Sequence, residues 1–115
     1  MTLYGIKHCD TMKKARAWLA EHQLDYAFHD YQRAGIDRDH LQRWCSDLGW
    51  EVVLNRKGTT FRKLPAALQT GLDQAAAIEL MLNQPSMIKR PVLETGTHTL
   101  VGFTPAVYAQ HLQAR

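Results

Sequence analysis

The sequence contains few cysteines and no long apolar segment. Cys9 and Cys45 are the two cysteines of a 115-residue chain, so a small scaffold held together by several disulfide bonds is excluded. The most apolar run, 75–82, includes Glu79 and is much shorter than the roughly 18 residues of a membrane span. The first residues do not show the basic and apolar segments of a signal peptide. We therefore expect a cytoplasmic protein with no membrane partner.

Strong charge and common ligand-binding motifs are also absent. The 14 Lys and Arg residues exceed the 11 Asp and Glu residues by a formal charge of +3, and this mild excess is spread along the chain, which does not indicate nucleic-acid binding. The histidines lack the paired spacing of a zinc site. The P-loop, the G-x-G-x-x-G motif and the G-x-S-x-G motif are missing. We expect no metal, no bound cofactor and no direct contact with nucleic acid.

The first part of the chain has the pattern of a strand, a helix and a second strand. Leu3–Ile6 is a short apolar run that ends at a polar turn, which is typical of a buried strand. Helical spacing of apolar residues then predicts a helix from Asp10 to about His22. The aromatic-rich segment Tyr26–Tyr31 predicts the second strand. This order predicts two parallel strands joined by a right-handed crossover.

The middle of the chain is predicted to be helical. Asp37 is placed to cap a helix that ends at Gly49, and Asp73 can cap another that stops before Pro85. The segment 50–72 gives no clear pattern. Its basic part, 56–63, favours a solvated loop, with an anion site as the alternative.

The last part of the chain predicts a hairpin followed by a helix. Val92–Thr95 and His98–Phe103 flank Gly96, as two strands around a turn would. Thr104 and Pro105 are typical of a helix start. The inner face of this helix is predicted to hold Val107, Tyr108 and Leu112. The whole chain is therefore predicted to be an α/β domain whose four-stranded sheet is mixed, with a βαβ unit, inserted helices and a ββα unit.

Cys9 is the candidate reactive residue. It lies between the first strand and the first helix, where the free N–H groups and the dipole of the helix stabilise a thiolate. We expect Thr11 and the cation Lys13 to support the thiolate. Asp10 is included among the supporting residues if its carboxylate caps the helix and points away from the sulfur. The alternative is that Cys9 is a small apolar residue in a buried turn.

The second cysteine and the residue three positions after Cys9 are predicted to be structural. Cys45 shares a helical face with large apolar residues and should be buried and inert. Met12 stands where a C-x-x-C motif would have its second thiol, so a local disulfide cannot form. A small thiol such as glutathione is the simplest partner for any disulfide intermediate at Cys9.

Four separated segments together resemble the ArsC/Spx family of arsenate-reductase-like proteins. They are Gly5–Thr11, Leu54–Thr60, Ile88–Pro91 and Leu100–Phe103. The resemblance implies a thioredoxin-like fold, with a core of about 1–31 and 86–115 and a helical insertion of about 36–85 in a single domain, 1–115.

The resemblance also implies roles for individual residues. Cys9 matches the nucleophile of the family, Arg56 its first anion-binding arginine, and Arg90 an arginine next to a cis-proline, here Pro91. Arginine suits such a site because its guanidinium binds oxyanions and carboxylates and stabilises a thiolate. A third arginine of the arsenate reductases has no equivalent, since Gly102 and Phe103 stand nearest to its position.

Three functions follow as hypotheses. The first is a thiol reductase in which Cys9 attacks an oxidised substrate and the co-substrate glutathione, with glutaredoxin as a possible further partner, resolves the adduct. The second is an arsenate reductase proper, which the missing third arginine disfavours. The third is a regulator of the Spx type that binds RNA polymerase without turnover, although Met12 removes the two-cysteine switch of such regulators.

Overall fold

The computed structural model describes residues 1–112 of the chain. Its strands and helices follow one another as β1 (Thr2–Gly5), α1 (Asp10–Glu21), β2 (Ala27–Asp30), α2 (Tyr31–Ala34), α3 (Arg38–Leu48), α4 (Trp50–Val53), α5 (Thr59–Arg62), α6 (Gln74–Asn83), β3 (Val92–Glu94), β4 (Thr99–Val101) and α7 (Pro105–His111). Short 3-10 turns cover Ala66–Leu68 and Pro85–Met87. The chain divides into two compact units, a sheet unit that combines Met1–Ala34 with the chain from Arg90 onward, and a helical unit, Gly35–Lys89.

The sheet unit contains the four-stranded mixed sheet that the sequence predicts. The strand order is β2-β1-β3-β4, with β1 parallel to β2 and the other two pairs antiparallel. In this register Gly5 at the end of β1 pairs with Asp30 at the end of β2, and Tyr4 pairs with Val92 at the beginning of β3. One edge of the sheet therefore brings together the residues that follow β1, follow β2 and precede β3.

Helices α1 and α7 share an apolar core with the sheet. The core side chains of this cluster are Leu3, Met12, Ala15, Trp18, Leu19, Leu93, Leu100, Tyr108 and Leu112. Burial of a large apolar side chain stabilises the fold by about 1.5–3 kcal/mol, so this cluster fixes α1 on the sheet. The prediction that Val107 belongs to the inner face is wrong, because Val107 is 41% exposed. Tyr108 and Leu112, four residues apart, share the buried face, and Val107 lies about 100° away from Tyr108 around the helix.

The predicted helix starts are confirmed by their capping hydrogen bonds. Three residues each accept a hydrogen bond from the backbone N–H three positions later, namely Asp37, Asp73 and Thr104. Each such cap satisfies an N–H group that the first turn of a helix leaves without a backbone partner. Gly49 ends α3 with a φ of +93°, a conformation that glycine adopts without strain.

The helical unit has its own core. The buried residues are Leu41, Trp44, Cys45, Val53, Leu54, Phe61, Ala77, Ile78, Met81, Met87 and Ile88. A short bridge between Leu54 and Ile88, with a hydrogen bond of 2.8 Å from the N–H of Lys89 to the carbonyl of Val53, ties the chain after α4 to the end of the unit. The expectation of a loop at 56–63 is wrong for Thr59–Arg62, which forms α5. One helical turn is too short to show a period in the sequence.

The predicted single domain, 1–115, with its core and insertion, stays a prediction. The helical unit covers Gly35–Lys89, and the sequence predicts the insertion at about 36–85. The residues 113–115, at the end of the predicted core, lie outside the described residues. None of the helices within residues 1–112 combines the length and the apolar character that crossing a membrane requires.

Candidate active site

Cys9 is the N-cap residue that directly precedes helix α1. The chain leaves β1 at Gly5 and reaches Cys9 in extended conformation, with φ −147° and ψ 130°. The Cys9 carbonyl accepts the first helical hydrogen bond from the N–H of Lys13, at 3.0 Å. Its side chain is partly buried and does not close a capping hydrogen bond of regular geometry. The sulfur therefore lies at the positive end of a 12-residue helix.

The surroundings of Cys9 favour the thiolate. Partial burial raises the pKa of Cys9, but interactions with the backbone N–H of Met12, the Arg90 side chain and the backbone N–H of Thr11 lower it, and the net pKa is below the ordinary value of a cysteine. The charge of Arg90 acts in the same direction. Since a thiolate is the nucleophilic form of cysteine, this site increases the reactive fraction of Cys9 at neutral pH.

Arg90, two residues before β3, is the side chain that acts on the thiol of Cys9. It is partly buried, and the bond from Arg90 to the buried Pro91 is cis, as the family resemblance predicts. Its side chain acts on the thiol of Cys9 and on the hydroxyl of Tyr31 through hydrogen bonding and charge, and it lowers the pKa of both groups. Burial lowers the pKa of Arg90, but Cys9 and Tyr31 together raise it by more. The net pKa is above the ordinary value of an arginine, so the guanidinium stays charged. The structure thus brings Cys9 and Arg90 together, while the anion-binding roles of Arg90 and Pro91 stay predictions.

Tyr31 completes this cluster, and the sequence analysis did not select it as a site residue. It follows β2 directly as the first residue of α2, and it is only 1% exposed. Burial raises the pKa of Tyr31 strongly, so the hydroxyl is protonated at neutral pH. The sequence analysis predicts Tyr31 to be the last residue of the second strand, within an aromatic-rich segment. The signal that could have found it is its position after β2, since β1 and β2 are parallel and their ends meet at one edge.

The three residues expected to support the thiolate differ in what they contribute. The backbone N–H of Thr11 lowers the pKa of Cys9. The side chains of Asp10 and Lys13 are exposed, and neither residue is among the groups with the largest effects on that pKa. Their supporting roles stay predictions. His8 is likewise exposed.

Met12 and Cys45 are both buried, as the sequence predicts. Met12 is 1% exposed and packs so closely on Gly5 that a Cβ atom there would come within 2.3 Å of the Met12 sulfur. Although its side chain belongs to the core, its backbone N–H has the largest pKa-lowering effect on Cys9. Cys45 is 2% exposed, and burial raises the pKa of its thiol. A protonated, buried thiol is a poor nucleophile.

Arg56 lies in the helical unit. Its guanidinium lies over the ring of Trp50, 5.2 Å from the ring centre. Residues around it line a cavity of about 310 Å³ with two further cations, and the full lining is Glu51, Leu54, Asn55, Arg56, Lys57 and Lys89. This cavity has a positive balance of charge, which suits an anionic group. The expectation that Arg56 acts on the substrate of Cys9 stays a prediction.

The described residues do not form a metal-binding cluster. Within 1–112, no group of three or more His, Cys, Asp and Glu side chains is arranged to hold a metal ion.

Almost all of the described chain matches one family of proteins. The model of the ArsC family matches residues 4–111, which include Cys9, Arg56 and Arg90. The chain belongs to the ArsC family. It has the thioredoxin-like fold with inserted helices that the resemblance implies.

Relatives in this family carry several names. A structure named YffB is 68% identical to this chain, with a TM-score of 0.94, and the similarity covers 96% of this chain and 97% of that one. An arsenate reductase related protein from Brucella melitensis is 55% identical with a TM-score of 0.77, over 97% of this chain and 93% of that one. The global transcriptional regulator Spx of Streptococcus pyogenes is 29% identical over 90% of this chain and 78% of its own length.

Proposed function

We propose that this ArsC-family protein is a glutathione-dependent thiol reductase whose nucleophile is Cys9. The observation that carries the proposal is the position of Cys9 at the N-terminus of α1, where the backbone N–H groups of this helix and the Arg90 side chain lower the pKa of its thiol. This arrangement lowers the pKa of a partly exposed thiol, which is the combination that thiol-disulfide exchange needs. The buried thiol of Cys45, with its raised pKa, lacks both properties.

Exchange at a single cysteine requires an external thiol for completion. The Cys9 thiolate attacks one sulfur of a substrate disulfide, forms a mixed disulfide with it and releases the other half as a thiolate, which takes a proton. Glutathione thiolate then attacks the Cys9 sulfur and releases the second half of the substrate. A second glutathione attacks the glutathione bound to Cys9, which frees the Cys9 thiolate and forms glutathione disulfide. Two electrons thus pass from two glutathione molecules to the substrate disulfide.

The replacement of the second thiol by Met12 agrees with this scheme. Because residue 12 is methionine, whose thioether cannot form a disulfide, the mixed disulfide at Cys9 has no thiol three residues away that could resolve it. Glutathione carries carboxylates, and guanidinium groups bind carboxylates in bidentate geometry. Arg90 would hold such a carboxylate or the anionic part of a substrate, and Arg56 is the second candidate for that role.

Formation of a glutathione adduct tests the proposal. We expect the wild-type chain, treated with glutathione disulfide at pH 7, to gain the mass of one glutathione and to lose it again when reduced glutathione is added. The Cys45→Ala variant should gain the same single adduct, since its only thiol is Cys9. Intact-mass spectrometry measures both. A wild-type chain that stays unmodified under conditions that modify a model thiol of ordinary pKa would refute the proposal.

Arsenate reduction is the alternative that the Brucella melitensis relative favours. The residues that stand where arsenate reductases have their third arginine argue against arsenate reduction. Gly102 has a φ of +79°, where an arginine would be strained, and the Phe103 ring packs edge-on against Tyr108, with 4.7 Å between ring centres. Arsenate turnover with glutathione and glutaredoxin would support this alternative, and its absence beside disulfide turnover would remove it.

A regulatory function is the alternative that the streptococcal Spx relatives favour. Under it, the chain would bind RNA polymerase and would have no turnover of its own. Met12, in place of the second thiol of a redox switch, argues against a sensor of that kind. Recovery of polymerase subunits with the tagged chain, compared with a mock control, distinguishes this alternative from the enzyme.

A further inference from the structure

Three segments of the sheet unit converge on one guanidinium. Cys9 follows β1, Tyr31 follows β2 and Arg90 precedes β3, and the strand register brings these three chain positions to the same edge of the sheet. Arg90 interacts with both the Cys9 thiol and the Tyr31 hydroxyl, through hydrogen bonding and charge, and lowers the pKa of each. Tyr31, at the end of β2, therefore interacts with the side chain that helps to stabilise the Cys9 thiolate.

The position of Tyr31 is itself rigid. Its side chain is 1% exposed, and helix α2, which it begins, packs against both β1 and β2. A buried tyrosine of this kind has little rotamer freedom, so its oxygen is a fixed acceptor. A guanidinium is planar and has five N–H donors in fixed directions. When one acceptor fixes the plane of the guanidinium, the N–H groups that face a second acceptor are fixed in direction as well. Here the Tyr31 hydroxyl is the first acceptor and the Cys9 sulfur is the second.

We infer that Tyr31 is a positioning residue, whose hydroxyl orients the Arg90 guanidinium toward the sulfur of Cys9. Tyr31 does not take part in bond making or breaking. Loss of the Tyr31 hydroxyl leaves the charge of Arg90 in place, but the guanidinium plane can then rotate. The charge-assisted hydrogen bond from Arg90 to the thiolate is therefore weakened. The inference rests on the proposed function in one respect only, that Cys9 is the reacting group.

Tyr31→Phe tests the inference, with Tyr4→Phe as its matched control. Both tyrosines are buried in the sheet unit and each takes part in a side-chain hydrogen bond, which for Tyr4 is donated to Glu94 at 2.6 Å. We expect Tyr31→Phe to lower the rate of Cys9 alkylation at pH 7 by about fivefold and to move the pH midpoint of that rate upward, because part of the thiolate stabilisation is lost. The plateau rate at high pH should stay close to that of the wild type. Tyr4→Phe should leave the midpoint unchanged.

Other outcomes have distinct meanings. A lower melting temperature of Tyr31→Phe with an unchanged midpoint would show a structural role alone and would overturn the inference. Equal shifts of the midpoint in Tyr31→Phe and Tyr4→Phe would overturn it as well. Groups near the cluster that could contribute to the profile are Arg90 and Asp30, both of which act on Tyr31, and neither is changed in the variants.

A measurement on the unaltered chain avoids any folding defect of the variants. With a 13C label at the Cζ atom of tyrosine, the signal of Tyr31 should shift with the same pH midpoint as Cys9 alkylation. The Tyr108 hydroxyl, which has no hydrogen-bond partner within residues 1–112, provides the reference signal that should not shift. A Tyr31 chemical shift that does not change as Cys9 titrates would contradict the inference. Neither result depends on glutathione, so failure of the reductase assay can be recognised separately.

Discussion

Replacement of Cys9 by serine is expected to abolish glutathione adduct formation and to lower disulfide reduction by about a hundredfold or more. A serine hydroxyl at the same helix N-terminus stays protonated at neutral pH and cannot form a disulfide bond. Glutathione-dependent reduction of a small disulfide, followed through the oxidation of reduced glutathione, measures the effect.

The second cysteine supplies the control for this substitution. Cys45→Ser should retain the activity and the single adduct of the wild type, because Cys45 is buried and its pKa is raised. If Cys9→Ser kept its turnover, or if Cys45→Ser lost it while the fold persisted, the assignment of the nucleophile would be wrong.

Replacement of Arg90 by methionine is expected to lower the alkylation rate of Cys9 at pH 7 by about tenfold, as the loss of a hydrogen bond to a charged group implies. Arg90 favours the thiolate through both its hydrogen bond and its charge. Without it, the pKa of Cys9 rises, and the thiolate fraction at neutral pH falls. The effect should disappear at high pH, where Cys9 is ionised in both chains.

Arg16→Met is the matched control for the arginine. Arg16 also belongs to the sheet unit, donates a hydrogen bond of 2.9 Å to the Tyr26 hydroxyl and lies over the ring of Phe28. It is not among the groups with the largest effects on Cys9, so its loss should leave the pH profile unchanged. Arg90→Lys should fall between the wild type and Arg90→Met, because it keeps the charge without the planar donors. Equal profiles for Arg90→Met and Arg16→Met would contradict the role of Arg90.

The sequence predicts those parts of the fold where local signals agree. Helix α3 has a capping aspartate at Asp37, apolar residues at helical spacing and a terminating Gly49, and the structure confirms all three. Helices α4 and α5 have four residues each, so they show no period that could be counted. The exposure of Val107 could not be predicted because a helix start alone does not reveal which side faces the sheet.

Only part of the candidate site could be predicted, because its residues are distant in sequence and are brought together by the strand register. Cys9 is recognisable from local sequence, since the helix that activates it begins at the next residue. The interaction of Arg90 with Cys9 joins residues 81 positions apart, and only the family resemblance pointed to it. Tyr31 was overlooked because a buried tyrosine after a strand is usually a core residue, and its link to Arg90 depends on the strand register.

The pH dependence of Cys9 alkylation tests the central claim most directly. The Cys45→Ala chain, in which Cys9 is the only thiol, would be alkylated over the pH range in which it stays folded and, for reference, after unfolding in urea. The structure predicts a lower pH midpoint in the folded chain, so that the rate falls only when the pH drops through the lowered pKa. A folded-state midpoint equal to or above that of the unfolded chain would contradict the claim that α1 and Arg90 hold Cys9 as a thiolate.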